Sequence, residues 1–285
     1  MFDKTEIEVL NKLNSWGDIN DNVRALILTS SRVGPNPKPD KLSDYDIEVI
    51  VDDLVPFNND EWLSTFGTIL VKWPLYPKNT GYNKNSITRL VVFTDFPRVD
   101  FQIMSKLSFD SFAYDSGYKF IVDKDNLQLT TPKPTCTEYI IKQPSADVFH
   151  EAIDGFYWDL PYIAKSIKRG ELAFARFMLL SAIRYDSFDE MLAWYIGFKN
   201  SWTVNYGAHG RNFEKLTDKT FANEINSLDA GDNPELIWRN ALKMEQLFHK
   251  MYEELAINLQ YDKKPVNTQA VLAYCNKILQ LPLAQ

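Results

Sequence analysis

The stretch LTSSRVGPNPKPDKLSDYDIEVIVDD, residues 28–53, ends one apolar segment, crosses a proline-rich connection and begins a second apolar segment with two nearby acids. Alternation along a strand sends Asp44 and Asp46 to the same face, roughly 6.5 to 7 Å apart along the backbone. Carboxylates at that spacing repel each other and weaken the fold unless a cation compensates them. The stretch therefore predicts a strand end that holds a positive charge.

A third carboxylate follows in a later strand-like segment. Asp100 stands in VDFQIM between the apolar residues Val99 and Phe101. If this strand pairs beside the strand of Asp46, the three acids form a cluster able to hold one or two Mg²⁺ ions. Mg²⁺ prefers hard oxygen ligands, and nucleotide phosphates complete its shell. We therefore expect Asp44, Asp46 and Asp100 to be Mg²⁺ ligands.

Two serines and an arginine directly follow the first apolar segment. Val23–Thr29 predicts a buried strand, and Ser30, Ser31 and Arg32 come at its end. Backbone N–H groups and hydroxyls at such a position can hold a phosphate, and a guanidinium adds a charged contact. We expect these three residues to bind the phosphates of a nucleotide.

A less specific interpretation of these residues stays open. Asp44 could cap a turn, Asp46 could be a solvated residue of an edge strand, and the two serines could merely begin a loop. The Asp-x-Asp pattern alone fits this interpretation well. The serines upstream and the third acid downstream favour the metal site.

Bulk composition excludes several classes of protein. The chain has 285 residues, 45% of them hydrophobic, and a formal net charge of −7. These values predict one large or two ordinary folded domains. The acidic balance argues against nucleic acid as the partner, because phosphate backbones require a basic surface. A nucleotide held through metal ions and a cationic co-substrate are both compatible with it.

The cysteines and the apolar runs bear on the compartment. Cys136 and Cys275 lack metal-ligand spacing and are expected to be reduced thiols. The N-terminus has no signal-peptide pattern, and no apolar run approaches the ~20 residues of a membrane span. We expect a cytoplasmic protein without a membrane partner. The sequence leaves the oligomeric state open.

Two halves of different character are predicted. The first alternates strands with turns and a few helices, and the second, after the proline-containing LTTPKPT at residues 129–135, is nearly all helical pattern. We predict an α/β N-terminal domain at residues 1–135, with a mixed sheet flanked by helices, and an all-α domain at 136–285. The predicted helices of the first half are 6–16 and a short helix capped by Asp60; its strands are 23–29, 44–51, 87–93, 99–104 and 118–123. The predicted helices of the second half are 146–169, 171–184, 188–199, 234–260 and 268–279.

The serine pair, followed after twelve residues by Asp-Tyr-Asp-Ile, resembles the signature of nucleotidyltransferases related to DNA polymerase β. That signature is a Gly-Ser turn, then Asp-hydrophobic-Asp, with a third acid on a later strand. More narrowly, the chain resembles the aminoglycoside 6-adenylyltransferases, the streptomycin-modifying family. The resemblance implies an N-terminal nucleotidyltransferase domain and a helical substrate-binding domain. It is carried by SSR, DYDI, NDEWLSTFG, VDFQIM and VDKD in the first half, and by IIKQPSADVF, YIAKSIKRGELAFA, MLAWYIG and GRNFEKL in the second.

The resemblance implies Mg²⁺-dependent transfer of AMP from ATP to a hydroxyl of a cationic aminoglycoside, with pyrophosphate leaving. Asp100 would then be a third metal ligand, the general base for the hydroxyl, or both. Arg211 stands where the family turn has lysine and is expected either to reach the phosphates or to be a solvated helix-start residue. In DGFYWDLPY, we expect Asp154, Tyr157 and Trp158 to bind the acceptor, since amines and guanidinium groups favour carboxylates and aromatic faces.

Two departures from the family pattern concern the substrates. Ser30 replaces the usual glycine, which is expected to hinder close approach of the backbone to a phosphate. Gly155 stands where the family has a glutamate, and Asp154 or Glu151 could compensate for it. The departures leave open a different small-molecule or protein acceptor, or a catalytically silent nucleotide-binding protein. Retention of all three acids argues against the silent protein, because mere binding does not need that crowded charge.

Overall fold

The apolar segments of the first half pair into one mixed sheet, in a computed structural model that describes residues 4–34, 37, 39–75, 86–262 and 266–282. Contacts divide the chain into two units, Met1–Glu138 and Tyr139–Gln285. The strands of the first unit are β1 (Val23–Thr29), β2 (Tyr45–Val51), β3 (Ile69–Trp73), β4 (Ser86–Phe93), β5 (Val99–Ser105) and β6 (Lys119–Asp123). Their order in the sheet is β3-β4-β5-β2-β1-β6. All neighbours are antiparallel except β2 and β5, which are parallel.

Five of the six strands lie where the sequence pattern predicts them, and β4 and β5 form the expected antiparallel pair. The pattern does not predict β3. This strand lies at the edge of the sheet, and Leu70, Val71 and Trp73 are all more than half exposed. Because neither face of β3 is consistently buried, its sequence lacks the alternation that identifies a strand.

Helix α1 (Glu6–Ile19) packs on one face of this sheet. Thr5 caps its first turn, and Thr5 and Glu8 exchange hydrogen bonds in a capping box. Its buried residues Val9, Leu13 and Trp16 belong to the same apolar cluster as the inward-facing residues of β2 and β5. The main apolar core of the first unit therefore lies between α1 and this face of the sheet.

Asp60 does not cap a helix in the way the sequence predicts. Glu61–Thr65 is a 3₁₀ helix, and the Asp60 side chain makes no capping hydrogen bond. Its carboxylate instead forms ion pairs with Lys72 and with Arg89, the latter at 2.8 Å. The Arg89 side chain is fully buried and needs an opposite charge close by, which explains why the tertiary contact wins over the local cap.

The second unit is helical, as the sequence predicts. Phe156 of its first helix stacks on Phe248 of a later one, with ring centroids 3.9 Å apart. In the described part of the chain, no helix is long and apolar enough to cross a membrane. The helices are α2 (Ala146–Arg169), α3 (Leu172–Phe177), α4 (Asp189–Lys199), α5 (Lys219–Asn226), α6 (Pro234–Leu259) and α7 (Thr268–Gln280).

Two features of the helical unit differ from the expectation. The predicted separate helices at 171–184 and 188–199 are one continuous helical run, because the π-helical segment Met178–Phe188 joins α3 to α4 without a break. Wide π-turns lack the period of 3.6 residues, so the pattern indicated a break where there is none. Helix α5 is short and was not predicted.

The two thiols are expected to differ in reactivity. Cys275 lies fully buried on α7, and burial raises the pKa of its thiol to about 11, whereas Cys136 is partly exposed. At pH 8 the folded protein should release one equivalent of thionitrobenzoate rapidly from Ellman's reagent, and the second only after unfolding, since the thiolate is the reactive form. Cys136→Ser should remove the rapid phase. Equal rates for both thiols would contradict the buried position of Cys275.

Candidate functional site

Parallel pairing of β2 and β5 brings two of the predicted acids side by side. Asp46 lies opposite Asp100 in the register, and Thr29 at the end of β1 lies opposite Asp46 on its other side. Asp44 immediately precedes β2. Tyr45 and its alternate neighbours face the α1 core, so Asp46 and Asp100 point to the opposite face of the sheet. The expectation that the third acid lies on an adjacent strand is confirmed.

Arg98 is the cation that bridges these acids. Its Nε and Nη2 each donate a hydrogen bond of 2.8 Å to one of the two carboxylate oxygens of Asp100. Its Nη1 lies 3.3 Å from Oδ2 of Asp44. Sequence analysis did not single out Arg98. One feature of the sequence could have identified it: Arg98 stands two positions before Asp100, so both side chains point to the same face of the sheet.

The pKa values reflect crowded negative charge. Burial raises the pKa of Asp44, opposed by the charge of Arg98 and reinforced by Asp100. Burial also raises the pKa of Asp46, opposed by a hydrogen bond from the Ser30 hydroxyl and reinforced by the other two carboxylates. Its hydrogen bond with Asp100 raises the pKa of Arg98. One guanidinium thus faces three carboxylates, and the site is left short of positive charge.

Ser30 adopts the backbone conformation that glycine favours. It begins the 3₁₀ turn Ser30–Arg32, directly after β1, and its φ is 63°, in the left-handed region. A non-glycine residue there is strained by roughly 1 to 2 kcal/mol. The Ser30 side chain is close enough to the Asp46 carboxylate to lower its pKa. Ser31, the next residue of the turn, is exposed.

Arg32 is held by the protein itself. Its Nε and Nη2 donate to the backbone carbonyls of Asp44 and Ser43 at 2.9 and 2.7 Å, and its Nη1 pairs with Glu6 at 3.1 Å. The guanidinium also stacks on the Tyr45 ring at 3.7 Å, and the side chain is 6% exposed. These contacts fix the chain where it enters β2. A phosphate contact by Arg32 stays a prediction.

The donor chemistry at this sheet edge fits a hard divalent cation, because carboxylate oxygens are the ligands that Mg²⁺ prefers. The conformation shown is not a metal-binding one. Among the residues that the structure describes, no group of three or more Asp, Glu, His or Cys side chains is arranged to hold a metal. Both oxygens of Asp100 accept hydrogen bonds from Arg98 instead.

The predicted acceptor residues lie on α2. The Tyr157 side chain is buried, and its hydroxyl donates a hydrogen bond of 2.9 Å to the buried Glu245. Trp158 is 73% exposed, and with Tyr274 of α7 it lines a cavity of about 480 Å³. Asp154 is exposed. Trp158 and Asp154 are therefore accessible to a ligand, whereas the Tyr157 hydroxyl is used within the core.

Arg211 lies in the helical unit, after the short 3₁₀ turn Ala208–Gly210. Gly207 and Gly210 give this turn its shape, each with a φ of 72°. A Cβ on Gly210 would lie 3.0 Å from the Tyr206 ring, so a larger residue would not fit without a shift. Arg211 is exposed, and its guanidinium has no hydrogen bond or ion pair within the described chain. Its contact with a phosphate stays a prediction.

Four carboxylates surround Gly155; we call them the Gly155 acid cluster. Glu151 and Asp159 lie one turn before and after Gly155 on α2. Asp186 and Glu190 come from the π-helical segment and α4. Burial raises the pKa of Asp159 and of Glu190, and the charge of Asp186 raises both further. None of the four forms an ion pair or a side-chain hydrogen bond with another described residue.

A serine side chain lies beside this cluster. A Cβ on Gly155 would lie 3.2 Å from Oγ of Ser187, so the glycine permits close approach of α2 to the π-helical segment. Ser187 is only 6% exposed, and its hydroxyl has no hydrogen-bond partner in the described part of the chain. Of these residues, sequence analysis named Gly155 and Glu151, and Asp159 lies in the DGFYWDLPY segment that it singled out. The facing acids come together only through tertiary packing.

Comparisons with known proteins identify the family of this chain. The model of the family described as streptomycin adenylyltransferase matches residues 3–278. An aminoglycoside 6-adenylyltransferase of Staphylococcus aureus is 31% identical over 227 residues, which cover 76% of this chain and 79% of that protein. Another, of Campylobacter jejuni, is 25% identical over 268 residues, 90% of each chain. A crystal structure of an aminoglycoside 6-adenyltransferase from Bacillus subtilis has a TM-score of 0.47 at 22% identity, covering 96% of this chain and 98% of that one.

The family match and the aminoglycoside 6-adenylyltransferase relatives make this chain a nucleotidyltransferase. The chain belongs to the streptomycin adenylyltransferase family. This family membership confirms the resemblance on which the sequence-based predictions of the site depend.

Neutralising one of the three acids should stabilise the protein in the absence of divalent cations. Asp46→Asn removes one of two like charges that lie opposite each other on adjacent strands, and should raise the free energy of unfolding by roughly 0.5 to 1 kcal/mol. Asp123→Asn, on the same sheet, should lower it, because the Asp123 carboxylate accepts the N–H groups of Leu127 and Gln128. The measurement is urea unfolding in EDTA. Destabilisation by Asp46→Asn would contradict the charge crowding.

Proposed function

We propose that this chain transfers AMP from ATP to a hydroxyl of an aminoglycoside such as streptomycin, in a Mg²⁺-dependent reaction that releases pyrophosphate. The observation that carries the proposal is the pairing of Asp46 with Asp100 on adjacent parallel strands, with Asp44 just before them. Membership of the family supplies the reaction class. The first unit is then a nucleotidyltransferase domain of the DNA polymerase β type.

The three acids would hold the metal. Asp44, Asp46 and Asp100 are the Mg²⁺ ligands of this proposal, and Asp100 is in addition a candidate general base for the attacking hydroxyl. The ion supplies neutralisation of charge on the phosphates, which is the main requirement of phosphoryl transfer. The residues themselves position the ion, and Ser30 lies next to Asp46 and helps to keep that carboxylate ionised.

The triphosphate would be bound by hydroxyls, backbone N–H groups and positive charge. The hydroxyls of Ser30 and Ser31 and the backbone N–H groups of their turn, directly after β1, would contact the phosphates. Ser31 is exposed and accessible to a phosphate. Arg32 adds positive charge at the same edge while it holds the entrance to β2. Arg211 has a free guanidinium in the described chain and would supply a further phosphate contact. Lysine, which the family has there, would act as a point charge, whereas arginine offers a planar fork.

The acceptor would be recognised by negative charge and aromatic faces. The Gly155 acid cluster offers carboxylates without cationic partners in the described chain, which suits the amines or guanidinium groups of an aminoglycoside. The Ser187 hydroxyl beside it would accept a hydrogen bond from the same ligand. Asp154 and Trp158 are accessible on α2, and Tyr157 contributes through the wall of the cavity that it shares with Trp158.

A second function keeps the chemistry and changes the acceptor. Gly155 is the observation that favours it, because the glutamate expected in the family is absent. A different small hydroxylated molecule or a protein side chain would then receive AMP, and a silent nucleotide-binding protein is the remaining alternative. The facing acids Asp186 and Glu190 favour a cationic acceptor, since they restore negative charge around the glycine.

Pyrophosphate release tests the proposed function directly. With ATP and Mg²⁺, release should depend on streptomycin, and Asp46→Asn should reduce it by at least about 100-fold, as expected when a group central to transition-state stabilisation is lost. Circular dichroism of the variant controls for folding. Release that is independent of streptomycin, or that survives in Asp46→Asn, would reject the assignment. No release despite ATP·Mg²⁺ binding by calorimetry would leave the second function.

The Gly155 acid cluster should determine affinity for the acceptor. Asp186→Asn and Glu190→Gln should each raise the KM for streptomycin about 5- to 10-fold with little change in the KM for ATP, because one charge-assisted contact contributes on the order of 1 kcal/mol at an accessible site. Glu235→Gln is the matched control, since Glu235 is an exposed acid at the start of α6, outside the cluster. Equal effects of the control and the cluster variants would exclude a specific role.

A further inference from the structure

Arg98 occupies the place that a divalent cation would take. Its guanidinium binds both carboxylate oxygens of Asp100 and contacts Asp44, two of the three acids assigned to the metal. We propose that Arg98 is a tethered counter-ion: it neutralises the acids while no metal is present, and its guanidinium must withdraw before the cation binds. This inference rests on the proposed function, from which it takes the metal site.

Competition follows from the geometry of Asp100. The planar guanidinium forms a two-pronged contact with both oxygens at 2.8 Å, which is the strongest arrangement for an arginine and a carboxylate. A Mg²⁺ ion ligated by either oxygen would lie about 2.0 to 2.1 Å from it. The two positive groups would then be in close contact and repel each other, so one has to leave. The absence of a metal-ready group of acids in the described chain agrees with this exchange.

The two arginines at this edge differ in how firmly they are held. Arg32 contacts two backbone carbonyls, Glu6 and the Tyr45 ring, and its side chain is 6% exposed. The Arg98 side chain is 42% exposed, and the hydrogen-bond and ion-pair partners of its guanidinium in the described chain are acids of the proposed metal site. Arg32 is therefore a fixed part of the fold, whereas the side chain of Arg98 can exchange.

The backbone of Arg98 stays in place during such an exchange. Its carbonyl accepts the N–H of Tyr45 at 3.2 Å, which ties the start of β5 to the start of β2. Only the side chain has to move, into the solvent that it already contacts. Arg98 is thus a positioning residue that sets the affinity of the acids for a cation without ligating it.

The test measures cation affinity and stability, and does not depend on turnover. Arg98→Gln removes the charge and keeps a polar side chain, so Mn²⁺ binding, followed by electron paramagnetic resonance at pH 7 without nucleotide, should become about tenfold tighter. In EDTA the same variant should unfold about 2 to 4 °C lower, because the acids lose their counter-ion. Arg98→Lys keeps the charge without the fork and should lie between wild type and Arg98→Gln in both measurements.

A matched variant separates competition from a general loss of stability. Arg24 also pairs with acids of the first unit, Asp125 and Asp52, at the other end of β1. Arg24→Gln should lower the unfolding midpoint in EDTA and leave the affinity for Mn²⁺ unchanged. A gain in affinity confined to Arg98→Gln would therefore identify Arg98 as the competitor.

Each other outcome has a distinct meaning. Unchanged or weaker Mn²⁺ binding by folded Arg98→Gln, with wild type binding normally, would overturn the proposal and leave the metal site intact. Failure of both wild type and Arg98→Gln to bind Mn²⁺ at millimolar concentration would overturn the metal site itself, and with it the proposed function and the exchange. Asp46→Asn, which lacks a proposed ligand, gives the baseline for non-specific binding.

Discussion

The pairing of β2 with β5 is the constraint on which the candidate site depends. These are the only parallel neighbours among the described strands, and their register sets Asp46 directly beside Asp100. Two like charges in that position oppose the pairing. The opposite face of the same strands supplies the compensation, because Tyr45, Ile47, Val99 and Phe101 are buried against α1. The apolar face thus stabilises a strand pair that its polar face destabilises, and the strain is concentrated where a cation would act.

Positive and polar groups around the acids have separate structural roles. Arg32 is buried and connects the entrance of β2 to α1 through Glu6. Ser30 adopts a strained conformation, and its side chain lowers the pKa of Asp46. Arg98 is exposed and holds Asp100 and Asp44. Arg32 and Ser30 thus set the geometry of this sheet edge, and Arg98 balances its charge. A cation that binds here would meet side chains that are already in position.

A second concentration of uncompensated negative charge lies in the helical unit. The Gly155 acid cluster forms where α2 approaches the π-helical segment, and Gly155 is the residue that permits the approach. π-helical turns often occur at functional sites, since they project side chains in directions that a regular α-helix does not. Here the turn brings Asp186 toward Asp159 and Glu190. A glutamate at position 155 would itself contact Ser187. The glycine and the acids that face it therefore belong to the same packing of α2 against the π-helical segment.

The sequence by itself determined the strand positions of Asp46 and Asp100, the end of β1 before Ser30, and the division into a sheet and a helical part, because these follow from local periodicity and turn chemistry. It did not reveal the edge strand β3 or the continuous helix through Met178–Phe188, whose patterns carry no regular period. Only the tertiary structure decided that Arg98 bridges two acids, that Asp60 serves Arg89 in place of a helix cap, and that Asp186 faces α2. The physical reason is that such contacts join side chains distant in sequence, and their energies depend on burial and charge that no local pattern encodes.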